Sequence, residues 1–243
     1  DNVKIREYWD LHFYQDIGTT EEKWIQLLEE TMHDAVQMRL ISDVPLGAFL
    51  SGGIDSGVVT AMMANGGEGK VLTNSIGFSL DGYCELRDAQ EVAQFLQTQH
   101  HEYTVKPDAL DVVDKLSHYY DEPFADSSSV PTYYVSKMAR QNVTVCLSGD
   151  GGDENFAGYR RYYFDLLENR IRNFVPGPVR KAIFGRLGSL YPQADWLPQS
   201  LRAKTMLQNL SKDPLTAYCD SVSQLSQDMK SKLLNRDLQY ELS

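Results

Sequence analysis

Phe49-Leu50-Ser51-Gly52-Gly53-Ile54-Asp55-Ser56-Gly57-Val58 is the stretch from which the rest of the chain reads outward. An apolar run, Val44 to Leu50, leads into it, and Val58, Val59, Ala61, Met62 and Met63 follow it at helical spacing. The pattern is strand, loop, helix. Two adjacent glycines let backbone N–H groups approach an anion with no Cβ in the way. The start of the helix adds unpaired donors and partial positive charge. Ser51 and Ser56 supply hydroxyls. Asp55 would repel a phosphate unless a Mg²⁺ ion sat between them. Two other anion-binding loops are excluded. No Lys follows the glycines, as a G-x-x-x-x-G-K-[ST] loop requires, and Gly52 to Gly57 does not spell G-x-G-x-x-G.

Upstream, Thr19-x-x-Glu22 has the form of a capping box. Trp24, Leu27, Leu28, Met32, Ala35 and Val36 predict a helix over 20–40. Downstream, Val71 to Phe78 reads as a strand, 86–97 as an amphipathic helix, 101–105 as a strand and 108–120 as a helix. Residues 129–140 are again helical, with Pro131 in the first turn, and Val143 to Leu147 is a β-branched strand. Strands alternating with helices predict an α/β fold: a parallel sheet with helices on both faces. Ligands of such sheets bind beyond the carboxyl ends of the strands. Two glycine-rich segments, 51–57 and 148–152, lie at such ends. After residue 158 the segments 159–173, 178–190, 200–210 and 213–235 read as helices, punctuated by Pro176, Pro178, Pro192, Pro198 and Pro214. The C-terminal part is therefore expected to be mostly helical.

The second glycine-rich segment is Leu147-Ser148-Gly149-Asp150-Gly151-Gly152-Asp153-Glu154-Asn155-Phe156-Ala157-Gly158-Tyr159. Asp150, Asp153 and Glu154 crowd onto one loop and must meet a cation or face water. The spacing of ligands in an EF-hand is absent.

The first loop resembles the PP-loop of the ATP pyrophosphatases, whose members split ATP to AMP and pyrophosphate. The second resembles the S-G-[DE]-G-x-D-E-x-[FL]-x-G-Y motif of asparagine synthetase-type amidotransferases. Val44-Pro45-Leu46-Gly47 and Asp121-Glu122-Pro123-Phe124-Ala125-Asp126-Ser127-Ser128 are similar to two further motifs of that family. The resemblance covers roughly residues 1–165 and is most specific at the two loops. It implies an adenine nucleotide alpha hydrolase-like (HUP-type) sheet in residues 19–165, with 1–18 as a linker from a glutaminase domain and 166–243 as a helical extension. It also implies residue roles. Leu50 and Ile76 would bracket the adenine, Ser148 and Gly149 would lie near the ribose, and Ser51, Gly52, Gly53 and Ser56 would cradle the β- and γ-phosphates. Asp55 and Asp153 would hold Mg²⁺. Asp150 would lie beside the acyl substrate as base or intermediate-stabilising carboxylate, with Glu154 as its neighbour. Arg160 and Arg161 are either partners for substrate charge or surface arginines opening a helix. Gly57 departs from the family, which usually carries Ser or Thr there.

The implied reaction joins ammonia to aspartate at the expense of ATP, through β-aspartyl-AMP, with the ammonia released from glutamine by the glutaminase domain. Relatives that close β-lactam rings or amidate other carboxylates share both loops, so the acyl substrate stays open. A nucleotide-binding module without catalysis is the reading from another class, and the three carboxylates argue against it. An R-x-P-F-[LV]-D motif and a lysine-bearing segment of the family are not found in the sequence. The chain reads as a piece of a longer synthetase, inactive by itself. A homodimer is among the assemblies the resemblance allows.

Composition narrows the partners. The net charge is −11, from 23 Lys and Arg against 34 Asp and Glu. Nucleic-acid binding needs clustered cations, and this balance speaks against it. No apolar run approaches the roughly 18 residues of a membrane span. Cys84, Cys146 and Cys219 form no C-x-x-C pair, so reduced thiols and a cytoplasmic location are expected.

Overall fold

A computed structural model of the chain describes residues 4–14, 16–66, 69–78, 86–106, 109–122, 124, 126–192, 203–223, 225 and 227–233. Cys84, Pro123, Ala125, Pro198 and the outer ends of three expected helices (108, 200–202 and 234–235) lie outside the described residues. The chain divides into two compact units, 1–116 with 128–149, and 117–127 with 150–243. The division falls before residue 165, where the sequence reading placed it, and hands 117–127 to the second unit.

The first unit is built on four parallel strands: β1 (Leu46–Phe49), β2 (Leu72–Phe78), β3 (Gln99–Val105) and β4 (Val145–Leu147), in the order β3-β2-β1-β4. Helices α1 (Glu21–Gln37), α2 (Ile54–Gly66), α3 (Leu86–Phe95) and α5 (Ser129–Ala139) belong to it, and α4 (Ala109–Tyr120) runs across the boundary. The connections through α2 and α3 step one way across the sheet, from β1 to β2 to β3. The connection through α4 and α5 steps back past β1 to β4. Right-handed crossovers therefore put α2 and α3 on one face and α5 on the other. The step reverses between β1 and β4, which makes their carboxyl ends the switch point where such folds bind ligands.

The face under α1 and α2 is closed by Ala48, Val36 and Met63, with Leu46, Val59, Met62 and Leu147 packed around them. Ala48 has no solvent exposure, and its small side chain lets both helices settle onto β1. Leu50, at the end of β1, is buried against Ala89, Ala93 and Val92 of α3. Burying one such Leu or Met stabilises the fold by roughly 1.5–3 kcal/mol. Thr73 on β2 bonds the Thr98 hydroxyl at 2.8 Å and His100 Nδ1 at 2.9 Å, so its buried hydroxyl is satisfied.

Three local expectations are corrected. The N-cap of α1 is Thr20, whose hydroxyl accepts from Lys23 N–H, while Thr19 donates to Asp16. Asp16 offers Thr19 a nearer partner than the helix does. Trp24 and Leu28, part of the apolar periodicity that predicted α1, are 47% and 45% exposed. Helical periodicity marks an apolar stripe but does not say what covers it. The helix α2 begins at Ile54, not at Val58, so Asp55, Ser56 and Gly57 sit in its first turn.

In the second unit α6 (Gly152–Asn155), α7 (Arg160–Phe174), α8 (Gly177–Leu190), α9 (Lys204–Ser211), α10 (Pro214–Val222) and α11 (Gln227–Leu233) follow one another, and no strand occurs among the described residues. The expected single helix 213–235 is broken. Asp213 caps α10 by accepting from Thr216 N–H at 3.0 Å, and Ser223 turns extended at its end. A buried ion pair within α7, Arg172 with Glu168, is tied to α9 by a hydrogen bond. Arg172 Nη2 donates to Glu168 Oε2 at 3.0 Å and to the Asn209 carbonyl at 3.0 Å. Burial pushes the Glu168 carboxyl up, and Asn209 and Arg172 pull it back. Losing either partner would leave a buried charge unpaired, at a cost of about 3–5 kcal/mol.

Candidate functional site

The chain turns sharply after β1. Leu50 N–H donates to the Asn74 carbonyl at 3.0 Å, and the Leu50 carbonyl accepts from the Ser75 hydroxyl. The Leu50 side chain is only 3% exposed beneath α3, so it presents no apolar surface to a ligand. Ile76, on β2, is half-buried and lies on the opposite face of the sheet from Ser75.

The loop that follows is tied to itself. Ser51 N–H donates to Ser56 Oγ at 3.0 Å, the two hydroxyl oxygens are 2.7 Å apart, and Gly53 N–H donates to Ser51 Oγ at 3.2 Å. Gly57 N–H closes the first helical turn onto the Gly53 carbonyl at 3.2 Å. Thr60 donates to the Ser56 carbonyl at 2.8 Å and anchors the next turn. Ser56 is buried, while Ser51, Gly52 and Asp55 are half-buried and Gly53 is exposed. The first N–H groups of α2 have no acceptor within the helix. The loop is thus held in shape by its own hydrogen bonds, and the first N–H groups of α2 open beside one carboxylate, Asp55.

Gly149, after β4, lies directly against this loop. A Cβ there would stand 2.6 Å from Ser56 N and 2.7 Å from the Asp55 carbonyl carbon, both backbone atoms. Only glycine permits that approach, so the end of β4 and the first turn of α2 meet through their backbones. Ser148, next to it, is exposed. Asp88, in the first turn of α3, also borders the loop, and its Cβ would clash with a Cβ at Gly52. The sequence reading gave Asp88 no role. The crossover that carries α3 back over β1 is what brings it there.

Asp150, Asp153 and Glu154 belong to the second unit. Gly151, with φ 92°, is in the left-handed region that favours glycine and caps the single turn of α6. That turn, unforeseen in the sequence, carries Asp153 and Glu154. Asp150 and Glu154 are exposed and Asp153 is half-buried. Tyr159 donates to Glu154 Oε1 at 2.7 Å, and the Arg161 guanidinium lies 4.7 Å from the centre of the Tyr159 ring. That hydrogen bond, first, and Arg161 more weakly hold the Glu154 carboxyl below the usual carboxylate range. The same bond pushes the Tyr159 phenol up to about 12. The motif places Tyr159 five residues after Glu154, a spacing that does not by itself reveal this bond. Arg161 is occupied with Tyr159, and Arg160 is exposed at the start of α7.

The sites expected around the nucleotide, Leu50 to Ser56, Ile76, Ser148 and Gly149, all fall in the first unit. The pair expected to share Mg²⁺ is divided, with Asp55 in the first unit and Asp153 in the second. Among the described residues no cluster of three or more His, Cys, Asp or Glu side chains could hold a metal by itself. Burial pushes the Cys146 thiol up to about 11. No helix among the described residues is long and apolar enough to cross a membrane.

Similarity to known proteins agrees with the two loops. A protein of Methanocaldococcus jannaschii provisionally named asparagine synthetase [glutamine-hydrolyzing] 2 is 47% identical over 203 residues, covering 79% of this chain and 39% of that one. Asparagine synthetase [glutamine-hydrolyzing] 1 of Bacillus subtilis is 29% identical over 243 residues, covering 98% of this chain and 37% of that one. The chain therefore spans less than two-fifths of the length of these relatives. Among solved structures, glutamine-dependent NAD⁺ synthetase from Acinetobacter baumannii in complex with ADP is similar at 14% identity and a TM-score of 0.42, over 94% of this chain and 45% of that one. Residues 27–241 match the family Asparagine synthase, a span that holds both glycine-rich loops and every strand of the sheet, and the chain belongs to that family.

Proposed function

We propose that this chain is the synthetase part of an ATP-dependent, amide-forming ligase that makes asparagine from aspartate, ATP and ammonia. The observation that carries the reading is the backbone contact of Gly149 with Asp55 and Ser56. It places two glycine-rich strand ends at the switch point of the sheet, around a loop whose donors suit pyrophosphate. Ser51, Gly52, Gly53 and Ser56 form the cradle for the β- and γ-phosphates. Leu50 and Ile76 flank the adenine, with Leu50 limited to backbone contact because its side chain is buried. Ser148 and Gly149 adjoin the ribose.

A carboxylate is a poor electrophile, because ammonia cannot expel an oxide. The aspartate side chain first attacks the α-phosphorus of ATP. The bond to the β-phosphate oxygen breaks, and β-aspartyl-AMP and pyrophosphate form. Ammonia then attacks the acyl carbon, a proton is lost from nitrogen, and AMP leaves. The loop N–H groups and the α2 terminus stabilise the charge that grows on pyrophosphate, an effect worth several kcal/mol in such sites. Asp150, with Glu154 beside it, takes the proton or steadies the tetrahedral intermediate.

Mg²⁺ fits the residues present. It is commonly held by one or two carboxylates together with substrate phosphates, so a cage of protein ligands is not required. Asp55 and Asp153 are the residues that would hold it, and it would neutralise charge on the phosphates. Ammonia comes from a glutaminase domain, in keeping with the names of the relatives. The reaction is assigned to the cytoplasm, where reduced thiols and ATP are found together.

The test is ATP–pyrophosphate exchange by the complete gene product. Exchange that depends on aspartate, and not on glutamate or other carboxylic acids, is expected. Exchange driven only by another acid would move the chain to a relative with a different acyl substrate.

A further inference from the structure

Helices α7, α9 and α10 of the second unit enclose a cavity of about 200 Å³. That is below the roughly 300–1,000 Å³ of pockets for drug-sized ligands, so its occupant is small. Two opposite charges line it from α7: Arg161 and Asp165, one helical turn apart and both half-buried. Side chains at that spacing are placed to pair with each other. Here each is turned to another neighbour. The Arg161 guanidinium lies 4.7 Å from the centre of the Tyr159 ring, and Asp165 Oδ1 lies 3.9 Å from Arg172 Nη1. A guanidinium on a ring face keeps the N–H groups at its edge. A carboxylate has about four acceptor positions, and Asp165 gives one to Asn169 Nδ2 at 3.0 Å. The cavity's other carboxylate, Glu168, is already paired with Arg172 at 3.0 Å.

The start of α9 adds to the cationic end. Thr205 and Met206, in its first turn, line the cavity, and its N-cap, Ala203, has no side-chain acceptor for the first N–H groups. One small space therefore holds a cation and an anion, each with hydrogen-bonding capacity to spare. We propose that it binds a small α-amino acid with an uncharged side chain. The carboxylate meets Arg161 and the start of α9, and the ammonium meets Asp165. The stacking of Arg161 on Tyr159 holds the guanidinium in advance and lowers the entropy lost on binding. A second carboxylate would face Asp165 and Glu168, which sets this cavity apart from a site for aspartate as acyl substrate. The inference does not depend on what the 51–57 loop binds.

The test uses the whole chain and three probes of matched skeleton: L-alanine, propionate and ethylamine. Each of the last two lacks one of the charges. Titrations followed by amide NMR locate the site and give the affinity. L-alanine is expected to shift amides of α7, α9 and α10, and to bind about tenfold or more tighter than either fragment, the size of one hydrogen bond between charged groups. Arg161→Met should weaken L-alanine and propionate about tenfold and leave ethylamine within about twofold. Asp165→Asn should weaken L-alanine and ethylamine about tenfold and leave propionate within about twofold. Thr205→Phe, at an exposed position, fills the cavity and should abolish L-alanine binding with the unfolding midpoint kept. No saturable binding of L-alanine would overturn the proposal. So would equal losses of all three probes in both charge variants, or tighter binding of L-aspartate than of L-alanine in this cavity.

Discussion

The two glycine-rich loops follow neighbouring parallel strands, β1 and β4, yet their polar side chains live in different surroundings. The 51–57 loop is closed on itself by hydrogen bonds between its own serines and backbone, and Ser56 is buried. The 150–159 loop leaves Asp150 and Glu154 exposed, with Glu154 held by the Tyr159 hydroxyl. The difference follows from the charge each loop carries. Backbone donors that receive an anion cost little to bury when they are held by neutral hydroxyls, and being held in shape lowers the entropy lost on binding. A carboxylate is costly to bury without a paired cation, and Asp150 and Glu154 stay in water.

The largest test of that contrast is Gly149→Ala. The added methyl meets backbone atoms of Asp55 and Ser56 that cannot swing aside, so the loop must move. Overpacking of this kind costs about 1–3 kcal/mol in stability. Pyrophosphate affinity is expected to fall by roughly 100-fold, since a cradle displaced by a fraction of an ångström loses several bonds together. Calorimetric titration and thermal unfolding of the variant measure both, and unchanged affinity would separate the two strand ends.

Asp153→Asn is next. Exchange of pyrophosphate into ATP by the complete gene product should fall by about 100-fold or more. The unfolding midpoint should move far less than exchange does, because the half-buried Asp153 side chain is still reached by water. A variant that lost stability and kept exchange would reverse the contrast and make this loop the structural one.

Gly57→Ser probes the departure from the family pattern. A Cβ at Gly57 meets only Val92 Cγ1, at 3.9 Å, so the side chain has room. The added hydroxyl is expected to strengthen pyrophosphate binding about threefold to tenfold, the range of one hydrogen bond. Weaker binding would mean that this cradle is shaped around the missing side chain.

The smallest effect lies in the sheet beneath the first loop. Burial depresses the His100 imidazole below its ordinary value, against a smaller opposing pull from Glu102. The unfolded chain therefore takes up a proton near pH 6.5 that the folded chain resists. Stability is full above that pH and declines as the pH falls toward the lower folded value. His100→Gln should flatten the decline in denaturant midpoint between pH 7 and pH 5.5.

The sequence was most legible where a pattern repeats. Strands and helices alternate from Leu46 to Leu147 and define the parallel sheet, and the two loops name the family. It was least legible where one contact decides. The early start of α2 was missed because Asp55, Ser56 and Gly57 face the loop and add nothing to apolar periodicity. The four-residue turn α6 is too short to have a period. The break after Val222 depends on how Ser223 ends α10, since the residues themselves permit a longer helix. The approach of Gly149 and Asp88 to the first loop follows from chain crossovers between residues far apart in sequence. That Ser56 bonds Ser51 could not be read from two serines five positions apart.

The measurement closest to the central claim is the identity of the nucleotide released. The complete gene product, given ATP, aspartate, Mg²⁺ and ammonia, should yield AMP and pyrophosphate by phosphorus NMR, each equal to the asparagine formed. ADP and orthophosphate in their place would contradict the account, because a cradle for the β- and γ-phosphates would then be breaking the wrong bond.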